Sequence, residues 1–416
     1  MAANTAPARV EVSALLSASD VERIDKNAAL GARFKNFRQS AYARALAHPF
    51  PTSSHELWRY TKPERFDWKK LLEAQAETIR LGVPAAGKAL LPEVELLSGA
   101  VAAEHAYPLL ESLLGEKGSD LSSDAVSAFQ LATVSSFALL TVKKNSQFPQ
   151  PIYLSHLFPP QKVGAASTLL VISIEPNASA VIIEDLEGAC GLYAPRVEVA
   201  VGQNAALTFC SVQNLSDDST YFARHRFHTA RDARLKSVHL ALGSRTSRVD
   251  LDLRMHDEGA SADLLAAYIA DGTRLTDFHP TQYHLAPNCR SEFFSKGVAT
   301  KRAHAVYYGY IKVAEGAQKT DAYQTNRNLL LSEHARADSI PNLEIKANDV
   351  RCSHGASVSH VNAEDMFYLQ TRGLPRPVAE EILVEGFLED LLTRVPDARL
   401  HDRMSTLVME RLHRGR

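Results

Sequence analysis

The chain has 416 residues, with 46 lysines and arginines against 48 aspartates and glutamates and a formal net charge of -2. That length allows two or three packed units, and the balanced charge gives no global field to draw in nucleic acid or an anionic lipid surface, so neither is expected as a partner. Four cysteines, Cys190, Cys210, Cys289 and Cys352, include no CxxC pair, which fits neither a disulfide framework nor a zinc ribbon.

The opening stretch MAANTAPARVEVSALLSASD lacks a basic n-region and carries Glu11 and Asp20, so no leader is expected and the protein is expected in the cytoplasm. No apolar run approaches the ~20 residues that cross a bilayer. Between about residues 10 and 135 the periodicity is helical. Phe34, Phe37, Ala41 and Ala45 fall on one face before Pro49 and Pro51 stop the chain. The segment Leu57-Trp58-Arg59-Tyr60 interrupts this pattern with two large aromatics and reads as a packing or docking element. Residues 1–150 are therefore expected to form an N-terminal α-rich domain.

From residue 168 to 352 short β-rich runs alternate with small-residue turns. One turn pattern recurs: Pro176-Asn177-Ala178, Gln203-Asn204-Ala205, Arg231-Asp232-Ala233, Glu258-Gly259-Ala260, Pro287-Asn288-Cys289 and Glu315-Gly316-Ala317. The third positions follow one another at a nearly constant period of about 28 residues. Stacked coils explain such a fixed spacing, with a small residue at each inside corner. A hairpin-built sandwich would also give short strands but does not require one turn at constant register. Glu333-His334-Ala335 and Asn348-Asp349-Val350 come sooner, which predicts an irregular terminal coil. A mainly β fold follows, with a parallel β-helix core at 151–360.

Helical signals return after Val361. Asn362 is placed to cap a helix through Asp365, Gly373 to end it, and Pro377 to open a second; Leu400, Met404, Leu407 and Val408 line a third. Residues 361–416 are expected to be a small C-terminal helical domain that covers the exposed end of the coil stack.

The run IKVAEGAQKTDAYQTNRNLLLSEHARADSIPNLEIKANDVRCSHGASVSHVNAEDMFYLQTRGLPRPVAEEILVEGF, Ile311 to Phe387, resembles the carboxy-terminal signature of the SufB/SufD family of iron-sulfur cluster assembly scaffolds. Within it, Cys352-Ser353-His354-Gly355 is similar to the SufD form; SufB chains carry a glutamate after the corresponding histidine. The resemblance implies a right-handed β-helix that pairs edge to edge with the β-helix of SufB, and a helical domain that holds the ATPase SufC. It implies a non-catalytic scaffold on which iron or an iron-sulfur cluster is held transiently, shared with SufB, with none tightly bound in the isolated chain. A homodimer stays open for that isolated chain.

The family's iron-site histidine falls on His354, and Cys352, two residues away on the same strand face, is a candidate second ligand. On the residues alone, His354 reads first as a histidine bonded to turn carbonyls, and Cys352 first as a small buried hydrophobe. His334 and His360 would enlarge the group if the last coils brought them together. Met366, Phe367, Tyr368 and Arg372, with the helix from Val378 to Leu392, are the candidates for SufC docking. The chain departs from the family pattern at Asn348 and at Ser359-His360.

The sequence contains no Walker A loop, no GxGxxG after a strand and no GxSxG elbow, and the chain is not expected to be an enzyme. Two other readings are a SufB-like sulfur acceptor acting as a homodimer, and a carbohydrate-binding or carbohydrate-active β-helix. The latter would cluster carboxylates on successive coils, whereas Asp232, Glu258 and Glu315 are scattered at turns.

Overall fold

The computed structural model describes residues 11–74, 78–82, 93–114, 125–157, 163–395 and 398–414; the first ten residues of the segment read for a leader lie outside these. From Ser136 onward the chain passes back and forth between two sheets, one of nine strands and one of eleven. Neighbours within a sheet are not consecutive in sequence. Ala206–Leu215, for example, lies between Ser179–Gly188 and Arg234–Ala241, parallel to both. Parallel neighbours need a crossover, supplied here by the strand in the opposite sheet. The core is thus a parallel β-helix with two broad faces, and its first parallel strand is Ser136–Val142. Antiparallel pairing is confined to the N-terminal edges, where Thr78–Gly82 and Val94–Ser98 each add one strand.

The repeated turn sets the coil length. Ser179, Ala206, Arg234, Ser261, Arg290 and Asp321 stand side by side, so the register advances by nearly the same length of chain at every coil. Asn177, Asn204, Asp232, Gly259 and Asn288 all have φ between 55° and 75°. Asn, Asp and Gly are the residues that tolerate this left-handed conformation. The small residue that follows each is buried: Ala178, Ala205, Ala233, Ala260 and Cys289. The carbonyls of Ala178, Ala205 and Ala233 accept the N–H of Ala206, Arg234 and Ser261, each at 2.9 Å. At the turn after Glu315 the left-handed residue is Lys319 instead of Gly316.

The terminal coil is not shortened. Glu333-His334-Ala335 lies at the opposite corner, between Thr320–Leu330 and Arg336–Ile345, while Asn348-Asp349 closes the same corner as the earlier turns. Thr320 pairs with Val350 across an offset like those of the preceding coils.

In the N-terminal region, helix α1 (Ala18–Ala28) starts at a Ser17–Asp20 capping box, and α2 (Ala32–Ala47) buries Phe34, Phe37, Ala41 and Ala45. Arg38 is fully buried in α2; its Nη1 donates to the carbonyls of Ala132 and Val134 at 3.0 and 2.8 Å. With α3 (Gly99–Leu114) and α4 (Ala125–Ala132), these helices pack on one end of the eleven-stranded sheet's outer face. Trp58 belongs to this packing, 5.8 Å from Phe222 between ring centres.

At the other terminus, α5 (Ala363–Thr371) is capped by Asn362 Oδ1, which accepts the N–H of Glu364 at 2.9 Å, and ends at Gly373 with φ 86°. Helix α6 (Arg376–Leu392) begins with Pro377 in its first turn and is followed by α7 (Ala398–Arg414). Leu388, Leu391, Met404 and Val408 bury against Cys210, Val238, Leu265 and Phe294 on the outer face of the nine-stranded sheet. The last helices therefore cover a flat face and leave the end of the coil stack open, unlike the cap expected from the sequence. The reason is where apolar surface lies: outward Cys210, Val238, Leu265 and Phe294 give that face an apolar patch for the helices to remove from water. Lys296 fastens the hairpin, donating to Phe387 O at 2.6 Å beside Asp390 at 3.0 Å.

Ala233→Leu would force a branched side chain into a filled corner. It should lower unfolding stability by about 2 kcal/mol in urea titrations; a loss below about 0.5 kcal/mol would contradict the role assigned to the corner.

Candidate functional site

The open end is formed by the last strand of each sheet. Among the described residues, Arg336–Ile345 pairs with one strand, His304–Val313, and Val350–His360 with one strand, Thr320–Leu330. Each therefore presents a free edge of backbone donors and acceptors. Register determines which side chains face the hollow between the sheets. Ala322, Gln324 and Asn326 point inward and are buried, and they stand opposite Cys352, His354 and Ala356. His354 thus faces the mouth of the stack and is exposed, because no further coil covers it. Leu343, Ile345 and Val358 lie on the same two strands and are 37 to 43% exposed.

Beneath the mouth lies a hydrogen-bonded polar layer. Gln324 accepts from Tyr307 Oη at 2.8 Å and donates to Asn342 O at 3.1 Å. Asn326 donates to Ser295 Oγ at 2.8 Å and accepts from Ser339 at 2.7 Å. These bonds fix the inner strand against which His354 is registered.

Cys352 is half-buried against Ile311, Val313, Ala317 and Ala322. Burial pushes its thiol pKa up, against the opposing effect of a hydrogen bond with the Ala322 backbone. His334 is exposed at the opposite corner, and His360 is six positions beyond His354 on the same strand, about 20 Å away. The structure does not gather these histidines into one ligand set: among the described residues no group of three or more His, Cys, Asp and Glu is placed to hold a metal ion. Two donors, Cys352 and His354, share one face of the edge strand. Cys190, Cys210 and Cys289 are buried.

The helical candidates divide. Met366 is buried, whereas Phe367 and Tyr368 are 68% and 56% exposed. Arg372 stacks its guanidinium 5.0 Å over the Tyr368 ring, and Val378 and Ile382 on α6 are also exposed. An apolar, aromatic surface bordered by Arg372 and Arg376 results on α5 and the start of α6.

Sequence reasoning missed the ionisable groups buried inside the coils. Glu184 accepts from Ser211 Oγ at 2.6 Å and lies 3.2 Å from His156 and 3.8 Å from His225. Burial alone would raise its pKa, but the His156 hydrogen bond and the nearby imidazoles bring it down to about 2. His284, fully buried with Nε2 2.8 Å from Ser291 Oγ, is lowered by burial to about 4. The available signal was polar residues at both parities within a strand, as in Ala223-Arg224-His225-Arg226-Phe227, which marks a strand with polar groups on both faces.

Two outcomes follow from this burial. His284 stays neutral in the fold below its ordinary value of 6.5, whereas the unfolded chain takes up a proton there. Its contribution is present above 6.5 and is lost as pH falls toward about 4, by up to about 3 kcal/mol. Chemical denaturation across that window should show stability falling with pH, and less steeply in His284→Gln; equal slopes would contradict it. Separately, iodoacetamide in alkaline buffer should modify the native protein once, at Cys352, and not at all in Cys352→Ser. Modification of further thiols without unfolding would be inconsistent with the burial.

Comparison with known proteins places these features in context. The family described as "SUF system FeS cluster assembly, SufBD core domain" matches residues 160–387. An iron-sulfur cluster assembly SufBD family protein of Mycobacterium bovis is 30% identical over 307 residues, 72% of this chain and 76% of that protein. The iron-sulfur cluster assembly protein SufD of Escherichia coli is 27% identical over 397 residues, 91% of this chain and 93% of its own length. SufD of Bacillus subtilis is 26% identical over 300 residues, covering 71% and 68%.

Proposed function

Since the chain belongs to the SufBD family of the SUF iron-sulfur cluster assembly system, we propose that it is a SufD-like, non-catalytic scaffold subunit that works in the cytoplasm by lending one half of a cluster assembly site to SufB. The observation that carries this reading is the uncovered last coil, where His354 is exposed on a strand with a free edge. A partner β-helix can add hydrogen bonds along that edge and cover Leu343, Ile345 and Val358. Iron or a nascent cluster is the cargo. Imidazole suits iron, and a thiolate from SufB would complete a set to which this chain brings His354 and, through a modest opening of its corner, Cys352. A site split between chains releases its cargo when the chains move apart.

SufC is the second partner in this reading. Phe367, Tyr368 and Arg372 form the surface it would engage, with Val378 and Ile382 beside them, while Met366 supports that surface from within. Helices α6 and α7 are fastened to the nine-stranded sheet by Lys296 and by Arg411, which bonds Asp271 at 2.9 Å. A pull on α5 and α6 would therefore reach the strands directly. No helix in the described residues is long and apolar enough to cross a membrane.

Co-expression with SufB and SufC tests both halves. His354→Ala should leave assembly of the complex intact and lower cluster yield by roughly tenfold, the cost of one charge-assisted or ligand bond. Phe367→Ala combined with Tyr368→Ala should reduce co-purification of SufC while leaving the melting temperature unchanged. Equal cluster yield with and without His354 would remove it from the mechanism, and full SufC retention would move that docking surface elsewhere.

A further inference from the structure

The outer face of the eleven-stranded sheet carries a second concave feature, unrelated to the open end. Beyond the area covered by the N-terminal helices, a groove of about 770 Å³ runs across four successive coils beneath the segment 49–58. That volume is in the range of small-molecule sites. Its floor is built by register: Arg226 stands beside Asp252, Thr281 and Tyr310, and the adjacent row brings Arg254, Tyr283 and Lys312 together.

The lining holds five cations, Arg224, Arg226, Arg248, Arg254 and Lys312, against two carboxylates, Asp250 and Asp252. Further carboxylates lie behind or beside it. Asp277 is fully buried, bonded to Thr61 and to His279. Glu56 accepts the Tyr308 hydroxyl, and Glu344 lies 3.6 Å from Lys312. Glu198, fully buried, stands beside Arg226 in the register and bonds Arg196 at 2.6 Å; the acids are thus engaged with partners at the floor and rim, and the lining itself carries more cations than carboxylates. Arg226 is 3% exposed; it directs Nε and Nη2 to Asp252 at 3.2 and 3.0 Å and leaves Nη1 without a hydrogen bond.

The aromatic faces of the groove are already taken. Arg248 lies 4.0 Å over Trp58, Arg254 4.5 Å over Tyr283, and Tyr308 stacks on His279 at 5.3 Å. These contacts hold the guanidinium groups in place and leave little ring surface for a stacked ligand. Preset guanidinium groups at a partly dehydrated surface favour oxyanions, which accept two or more donors each.

We propose that this groove binds a phosphate-bearing small molecule through Arg226, Arg254 and Lys312. The ligand's phosphate oxygens would accept from these side chains, and the segment 49–58 would wall one side. The site is independent of the SufB-facing reading, since it lies on the outer face of the other sheet from the strand that carries His354.

Pyrophosphate is the probe, titrated calorimetrically into the full-length protein at low ionic strength. It should bind at one site per chain and raise the melting temperature. Lys312→Ala, at a partly exposed position, should keep the wild-type melting temperature without ligand and weaken binding at least about tenfold. Arg226→Gln should weaken it further, and Arg290→Ala, on the outer face of the other sheet, should not change it. Added salt should reduce affinity. Phosphatidylglycerol vesicles, tested in parallel, distinguish a free phosphate compound from a lipid headgroup; binding to vesicles with none to pyrophosphate would overturn the proposal. So would the absence of both heat and a melting shift with pyrophosphate, or equal affinity in wild type and Lys312→Ala.

Discussion

Everything in this molecule depends on the parallel backbone ladder closing once per coil. A strand in one sheet is bonded to the strand one full coil further along the chain, so the backbone must turn two corners and return at the same height each time. The corner at Asn177, Asn204, Asp232, Gly259 and Asn288 meets that demand with a left-handed residue followed by a small one. The inside position is held by alanine at four of these corners and by Cys289 at the fifth, and a branched side chain there would press on the next coil, which begins one hydrogen bond away.

From that constraint come two faces and two ends with different fates. The flat faces are wide and partly apolar, and helices cover them: the N-terminal group on one sheet, α6 and α7 on the other. The N-terminal edges receive an antiparallel strand each. The opposite end receives nothing from the described residues, which leaves inward-facing Cys352 and His354 beside exposed Leu343, Ile345 and Val358. A solenoid that ends in this way presents two free strand edges, with exposed Leu343, Ile345 and Val358 beside a hydrogen-bonded polar layer.

Charge is handled by pairing within and across coils. Asp250 bonds Arg224 at 2.7 Å and Arg248 at 2.9 Å. Burial would raise its pKa, but those two guanidinium groups hold it well below the usual carboxylate range. Asp252 is bonded to Arg226 in the same way. Both carboxylates stand on one strand, Thr246–Met255, and each is bound to a guanidinium group, which is not the row of acids on successive coils that a carbohydrate-active β-helix would require.

The coil period, the corner residues, the turns that bound α5 and the buried stripe of α2 were all legible in the chain, because each is a local rule: a dihedral preference, a cap, a repeat distance. The family signature from Ile311 to Phe387 was equally local. What the linear order could not reveal was which surface the last helices would choose, since that depends on comparing apolar areas assembled from strands far apart in the chain. The same holds for the buried Glu184 with His156 and His225, and for the groove of Arg226, Arg254 and Lys312: these groups meet only after stacking fixes the register. Sequence by itself determined that the chain would coil and where it would turn; the tertiary structure alone decided that the described residues would leave one end uncovered with His354 upon it, because exposure is a property of what packs against a residue and not of the residue.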